Sequence, residues 1–179
     1  MYNYLNKVGN AITMRERAEE GGEAVSRPVT TLAQHQHLTL LDLGGNKITS
    51  IQPHQLPTSL KELRLYSNQL EEVHLQDLKC LEVLWIWGNE LASIDLQGNT
   101  RLRLLYIYSN PLEISQLPPS IQQLRADFKQ IADYDFHPLE HLKDLRIRGK
   151  EGLKWRDIRN LRPSVDLIDG HIFCKKVEY

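Results

Sequence analysis

Apolar residues recur along the chain in one short pattern that returns about every 21 residues. Two leucine or isoleucine residues stand two positions apart, another apolar residue precedes them by three positions, and an asparagine follows by three. The asparagines of the complete copies are spaced 22, 21 and 21 residues apart, which indicates a repeat architecture. The complete copies are Leu38, Leu41, Leu43, Asn46, Ile48; Leu60, Leu63, Leu65, Asn68, Leu70; Leu81, Leu84, Ile86, Asn89, Leu91; and Leu102, Leu105, Ile107, Asn110, Leu112.

Two weaker copies follow, and they bring the predicted number of repeats to six, over residues 37–150. Lys129 and Lys150 stand where an asparagine is expected, so we predict an altered turn in both copies. The apolar positions of these copies are Ile121, Leu124, Ala126 and Leu142, Leu145, Ile147.

Each copy predicts one short strand, because two apolar residues that alternate with variable ones give a strand with one buried face. A single repeat cannot bury that face, so successive repeats stack and their strands form a parallel sheet. Stacked asparagine amides satisfy buried backbone groups where the chain turns away from the sheet. The remaining residues of a repeat are too few for a long helix, so we expect extended or 3₁₀ turns on the convex side.

The pattern resembles that of the leucine-rich-repeat family. Residues 56–60 and 117–121, LPTSL and LPPSI, resemble strand beginnings in bacterial members, including effectors delivered into host cells. Residues 93–102 resemble the 21-residue repeats of bacterial surface and secreted proteins, while residues 155–170 are similar to the C-terminal cap of short intracellular eukaryotic members. The resemblance implies an α/β fold, a curved horseshoe solenoid with a concave parallel sheet. A bacterial protein acting inside a eukaryotic host would reconcile both likenesses.

We expect residues 1–179 to form one domain with a cap at each end of the repeats, because an open stack exposes its core. Residues 1–36 are assigned to the N-terminal cap and a loop, with a helix over residues 11–25 that is rich in helix formers and stops near Gly21. Residues 151–179 are assigned to the C-terminal cap: a short helix from Trp155, ended by Pro163, and then a strand around Leu167.

The variable strand positions point onto the concave sheet, and the middle repeats place five large aromatic residues there. Trp, Tyr and Arg are over-represented among residues that dominate binding energy, which predicts a protein-binding surface. The alternatives are that cross-strand aromatic pairs only stabilise the sheet, or that the C-terminal segment covers them. The candidate partner-binding residues are Arg64, Tyr66, Trp85, Trp87, Tyr106, Tyr108, Arg125, Asp127, Arg146 and Arg148.

The same aromatic residues would also suit a carbohydrate or a nucleic acid, since sugars and bases stack on Trp and Tyr. The near-neutral charge, with Lys+Arg 22 and Asp+Glu 23, argues against binding of an extended nucleic acid. We therefore predict a protein partner and no membrane insertion, with the chain either a monomer or weakly self-associating. The beginning of the sequence lacks a standard secretory signal, so the expected location is the cytoplasm, or a host cell reached without such a signal.

Catalytic chemistry finds little support in the sequence. His137 and His141 stand four residues apart and His35 and His37 two apart, but neither pair has a third ligand at a recognised spacing. Cys80 and the one other cysteine, 94 residues further on, suggest reduced thiols rather than a redox motif. We predict no enzyme activity, no catalytic residue, no metal and no cofactor, with a targeting part of an enzyme system as the remaining alternative.

Overall fold

Each repeat contributes one short strand to a continuous sheet in the computed structural model, which describes residues 2–8, 11–16 and 32–169. The strands along the chain are β1 (Tyr2–Val8), β2 (Ala11–Glu16), β3 (Leu40–Asp42), β4 (Ser50–Ile51), β5 (Glu62–Arg64), β6 (Glu72–Val73), β7 (Val83–Trp85), β8 (Leu104–Tyr106), β9 (Gln123–Asp127), β10 (Asp144–Arg148) and β11 (Asp166–Asp169). The main sheet has the order β1-β2-β3-β5-β7-β8-β9-β10-β11. Its first pair, β1 with β2, is antiparallel, and the other pairs are parallel. The architecture is a leucine-rich-repeat solenoid with a parallel concave sheet.

The convex side consists of turns and very short elements, as the repeat length predicts. Strands β4 and β6 form a separate two-stranded parallel sheet. One α-helix, α1, spans Phe128–Ile131, and one 3₁₀-helix spans Trp155–Asp157. No helix in the described ranges is long and apolar enough to cross a bilayer.

The core lies between the two sides of the solenoid and is built from the alternating positions of the repeats. In β7 the middle residue Leu84 is fully buried, while Val83 and Trp85 on either side of it are half-buried. The middle residue is fully buried at the equivalent position of every other repeat, which confirms the predicted strand register, and of the flanking residues Asp42 and Tyr106 are buried as well. The fully buried residues at these positions are Leu41, Leu63, Leu84, Leu105, Leu124 and Leu145.

The repeat asparagines form a column that satisfies backbone groups of adjacent coils, as predicted. We call Asn46, Asn68, Asn89 and Asn110 the asparagine column. Asn89 Nδ2 donates to the carbonyl oxygens of Ile86 in its own coil, at 2.9 Å, and Leu65 in the preceding coil, at 3.0 Å. Its Oδ1 accepts a bond from the Leu70 amide at 3.1 Å. Asn99 makes similar bonds at a second turn of the repeat, where its Nδ2 donates to the carbonyls of Leu75 and Leu78 at 2.8 and 3.1 Å. These amides couple neighbouring coils to one another.

The turn of the fifth repeat is altered, as the missing asparagine predicts. The chain forms α1 there, and the buried Gln130 replaces the asparagine from a position one residue further on. Its Nε2 donates to the carbonyl oxygens of Ile107 and Asn110 at 3.1 and 3.2 Å. Its Oε1 accepts from the Asp127 amide at 2.8 Å. The longer glutamine side chain thus reaches from a helical turn to make the hydrogen bonds to the preceding coil that an asparagine makes in the other repeats.

The prediction of an N-terminal helix is wrong for residues 11–16. Those residues form β2, which pairs in parallel with β3 and in antiparallel with β1. Ile12 and Met14 are buried there, two positions apart, and cover the first repeat. Helix propensity is overridden because a strand extends the sheet and places both side chains on the exposed core. The rest of the predicted helix and the loop after it lie outside the described residues.

At the C-terminal end the chain forms a 3₁₀ turn followed by the expected strand. The turn is shorter than the predicted helix, and Ile158, Leu161 and Val165 are buried behind it. Strand β11 pairs in parallel with β10, which adds one more strand to the sheet. The likeness of this segment to a eukaryotic cap stays a prediction, and residues 170–179 lie outside the described residues.

Leu84→Ala is expected to lower the free energy of unfolding by about 2–5 kcal/mol, because it leaves a cavity between stacked coils. The measurement is urea denaturation followed by circular dichroism. Val83→Ala is the matched control: its side chain is half-buried on the concave side, and it should cost less. Equal midpoints for both variants would mean that the strand register is shifted by one residue.

Candidate functional site

The parallel register of the sheet brings the candidate residues into two columns on its concave side. Arg64 pairs with Trp85, Trp85 with Tyr106, and Tyr106 with Arg125 across adjacent strands. The second column begins two residues further on in each repeat, where side chains project to the same side of the chain. Adjacent parallel strands are about 4.8 Å apart, a distance at which aromatic rings of neighbouring strands can stack.

The first stack comprises Arg64, Trp85, Tyr106 and Arg125. The rings of Trp85 and Tyr106 stack with centroids 5.3 Å apart and an interplanar angle of 28°. The Arg64 guanidinium carbon lies 4.7 Å from the Trp85 centroid, and that of Arg125 lies 4.1 Å from the Tyr106 centroid. An aromatic pair is therefore held between two cations, an arrangement stabilised by the negative faces of the rings.

The second stack comprises Tyr66, Trp87, Tyr108 and Arg148. Trp87 lies between the two tyrosines, 5.0 Å from Tyr66 and 5.3 Å from Tyr108, with interplanar angles of 11° and 9°. The Arg148 guanidinium carbon lies 4.5 Å from the Tyr108 centroid. On the opposite side the Tyr66 ring lies over Gly44, where an added Cβ would be 2.4 Å from the ring. A side chain at this position could be accommodated only if the Tyr66 ring moved, so Gly44 allows the ring to lie flat over the backbone.

All five rings thus have both faces occupied by neighbouring residues. Tyr106 is the most covered, with 9% of its surface exposed, and the other four rings are half-buried. The sequence places Tyr106 among the outward-facing residues, but Trp85 and Arg125 cover its ring on that side. What the concave surface offers to a partner is consequently the edges of the rings and the tyrosine hydroxyls, rather than free ring faces.

The arginines differ in how their charge is balanced. Arg64 pairs with Glu62 at 2.6 Å and lies 3.7 Å from the buried Asp42, and Arg146 pairs with Asp144 at 3.1 Å. Across the described residues, Arg125 has no carboxylate within ion-pair distance. The same holds for Arg148, whose Nη1 donates to the Ser109 hydroxyl at 3.3 Å. Of these four arginines, two therefore have acidic partners and two have none among the described residues.

Asp127 has a structural role that the sequence does not reveal. Its Oδ2 accepts a hydrogen bond from the Ser109 amide at 2.6 Å, and its own amide donates to Gln130 at the beginning of α1. Ser109 has a φ of 56°, in the left-handed region, so the carboxylate supports a constrained turn. Asp127 thus holds the turn after β8 close to β9. One of its carboxylate oxygens is already engaged and is less accessible to a partner.

The hydroxyl of Tyr108 stays protonated over a wider pH range than a free tyrosine. Burial raises its pKa above the usual value of 10.0, and the charges of Arg148 and Arg125 oppose that rise. At neutral pH the hydroxyl is therefore neutral and can both donate and accept a hydrogen bond. Burial also raises the pKa of Tyr134, which lies on the other side of the solenoid.

Two features of the concave surface were not among the predicted site residues. Val83 and Leu104 are half-buried neighbours on β7 and β8, and they extend the aromatic surface with aliphatic groups. The indole N–H of Trp85 is buried and has no hydrogen-bond acceptor among the described residues. The strand alternation identifies the first feature, since both residues occupy variable positions, but the second depends on packing between side chains.

Among the described residues, no cluster of three His, Cys, Asp or Glu side chains is arranged to hold a metal ion. His137 and His141 are both exposed. Cys80 is half-buried with a free thiol. A cleft of about 750 Å³ lies away from the concave sheet, beside α1 and Pro119, and it is lined by mixed polar and apolar residues.

Comparison with known proteins supports the fold. Residues 37–58 match the family model described as Leucine Rich Repeat. Among curated proteins, no sequence matches this chain.

Solved structures with the same fold come from Listeria monocytogenes and Yersinia enterocolitica. The functional domain of InlJ from L. monocytogenes, which includes a cysteine ladder, matches with a TM-score of 0.57 and 20% identity over 76% of this chain and 35% of that one. An internalin, InlF, from the same species matches with a TM-score of 0.60 and 22% identity over 82% and 44%. YopM from Y. enterocolitica matches with a TM-score of 0.55 and 24% identity over 75% and 29%. This chain therefore spans less than half the length of each of these structures.

Proposed function

We propose that this leucine-rich-repeat solenoid is a protein-interaction module whose partner binds the concave sheet. The observation that carries the proposal is the contiguous surface of the two aromatic stacks, which is rigid and only half-buried. Rigid aromatic side chains lose little conformational entropy on binding, and Trp, Tyr and Arg dominate many protein interfaces. The adjoining Val83 and Leu104 add apolar area at the edge of this surface.

The occupied ring faces favour a protein over a sugar or a nucleic acid. Sugars and bases stack on a free aromatic face, but Trp87 is enclosed by Tyr66 and Tyr108, and Tyr106 by Trp85 and Arg125. Opening a stack for such a ligand would first break contacts worth about 0.5–1.5 kcal/mol each. A protein surface can instead pack against ring edges and bond to the hydroxyls without separating the rings.

Stabilisation of the sheet alone is a competing role for the stacks. Cross-strand aromatic pairs contribute only about 0.2–1 kcal/mol each to a sheet, which is modest beside the stability gained by burying leucines. Keeping four large rings half-exposed is costly for solubility unless a partner covers them. The proposal therefore extends to an effector or adaptor that acts by binding rather than by catalysis, with the bacterial organisms of the similar structures as support.

The test is affinity capture with matched arginine substitutions on the two sides of one coil. Val83→Arg places a large charged side chain on the concave sheet, whereas Ser93→Arg adds the same side chain at an exposed position of the convex segment. Immobilised wild-type protein and both variants are incubated with cell lysate, and bound proteins are identified by mass spectrometry. Duplicate lysates are treated with nuclease or with protease.

We expect a protein that is retained by wild type and Ser93→Arg, is lost with Val83→Arg, and survives nuclease treatment. Loss with Ser93→Arg but not with Val83→Arg would move the interface to the convex side. Binding that is abolished by nuclease would replace the protein partner with a nucleic acid, and that binding should also weaken steeply with added salt.

A further inference from the structure

Both aromatic stacks end in an arginine, Arg125 on β9 and Arg148 on the adjacent strand β10. The guanidinium of Arg125 lies over Tyr106, at 4.1 Å, and that of Arg148 lies over Tyr108, at 4.5 Å. Tyr106 and Tyr108 are two residues apart on one stretch of chain, which separates their Cα atoms by about 7 Å. The two guanidinium groups are therefore neighbours at one edge of the aromatic surface, and we call them the arginine pair.

The arginine pair is held by the tyrosine rings, and no carboxylate of the described residues lies within ion-pair distance of it. A tyrosine face attracts a guanidinium and fixes its position, but it carries no net charge. The other two arginines of the concave surface have carboxylates on their own strands, Glu62 beside Arg64 and Asp144 beside Arg146. At the equivalent position before Arg125 stands Gln123, which cannot neutralise it.

The local charge balance leaves room for a single negative charge. Strands β9 and β10 together carry three arginines and the two aspartates Asp127 and Asp144, so the charges of these two strands sum to one positive charge. Asp144 is committed to Arg146, and Asp127 accepts the Ser109 amide. A guanidinium presents its donors as a planar fork that matches the two oxygens of a carboxylate.

We propose that the arginine pair anchors a carboxylate side chain in an acidic segment of the protein partner, next to apolar residues that pack on the ring edges. This inference rests on the proposed function and adds the chemistry of the partner. One carboxylate matches the single unbalanced charge, whereas a doubly charged phosphate would also meet the two aspartates of the same cluster at close range. The partner segment is accordingly acidic and apolar, with its acidic residue over strands β9 and β10.

The test uses random short peptides displayed on phage and selected on immobilised wild-type protein. We expect the selected sequences to be enriched in aspartate or glutamate at one fixed distance from an aromatic or aliphatic residue. One selected peptide is then synthesised with its acidic residue as glutamate, glutamine or phosphoserine, and its affinity is measured by fluorescence polarisation.

Variants of the protein locate the acidic contact. Glutamate to glutamine in the peptide should weaken binding to wild type by about tenfold, as for loss of a charge-assisted hydrogen bond, and should have little further effect on the R125Q/R148Q double variant. Arg103→Gln is the matched control, because Arg103 is exposed and already pairs with Glu82. With this control the tenfold difference should persist. Circular dichroism of each variant verifies that it is folded.

The outcomes separate this inference from the proposed function. Peptides that are blocked by Val83→Arg but show no acidic preference would overturn the acidic anchor and leave concave binding intact. A phosphoserine peptide that binds more than tenfold tighter than the glutamate peptide would also overturn it, in favour of a phosphorylated segment. Peptides that ignore Val83→Arg, or a selection with no enriched sequence, would count against both proposals.

Discussion

Replacing Asn89 with alanine is expected to lower the free energy of unfolding by about 3–5 kcal/mol, because buried backbone groups lose their partners. The amide bonds to the carbonyls of Leu65 and Ile86 and to the Leu70 amide, all at 2.9–3.1 Å. Asn89 is 7% exposed, so water cannot replace those bonds readily. Two of the three partners belong to the preceding coil, and the substitution therefore weakens the contact between coils as well as one turn.

Urea denaturation followed by circular dichroism measures this effect, with Glu90→Ala as the matched control. Glu90 is the next residue in the chain, and its side chain is exposed, so its loss should change the unfolding free energy by less than about 0.5 kcal/mol. Hydrogen exchange adds a local measure, since the Leu70 amide should exchange faster in the Asn89 variant. If Asn89→Ala lowers the free energy of unfolding by less than about 1 kcal/mol, the buried asparagine stabilises the fold no more than a single ordinary hydrogen bond does.

Replacing Trp87 with alanine is expected to weaken partner binding by about thirtyfold or more, the effect of losing a binding hot spot of about 2 kcal/mol. Trp87 is the centre of the second stack, in contact with Tyr66 and Tyr108. Its loss removes its own ring edge and also frees both tyrosines from their fixed positions. Breaking two stacking contacts should reduce stability by about 1–3 kcal/mol, which the fold can tolerate because the ring lies outside the leucine core.

Trp87→Phe is the control that separates the ring from the stack. Phenylalanine keeps an aromatic group between the two tyrosines, so stability should stay close to that of wild type, while affinity falls by less than with alanine. Isothermal titration with the captured partner gives the affinities, and thermal melting gives the stabilities. Wild-type affinity in the alanine variant would remove Trp87 from the interface, whatever its effect on stability.

The repeat pattern predicts most of the fold because each position in it has one dominant physical role. A residue such as Leu84 fits only a buried strand position, and Asn89 fits only a turn whose carbonyls need a donor. The sequence does not predict strand β2, because residues 11–16 combine helix-forming residues with a two-residue alternation. Local propensity favours the helix, and the exposed end of the first repeat decides in favour of the strand.

The candidate site is predictable in position but less so in chemistry. Strand alternation places Trp85, Trp87 and the tyrosines on one surface, yet it cannot show that every ring face is already covered. That property depends on side-chain packing between strands, as does the burial of Tyr106. The sequence partly predicts which arginines form ion pairs. An acidic residue stands two positions before Arg64 and before Arg146, but not before Arg125.

Oxidative footprinting of the complex with the captured partner tests concave binding most directly, because it reads both sides of the solenoid in one measurement. Hydroxyl radicals modify exposed side chains, and peptide mass spectrometry compares the free protein with the complex. We expect protection of Tyr66, Trp87 and Tyr108, with no change at the exposed His54 on the other side or at Pro119 beside the cleft. Protection of His54 or Pro119, with unchanged oxidation of the three aromatic residues, would contradict concave binding.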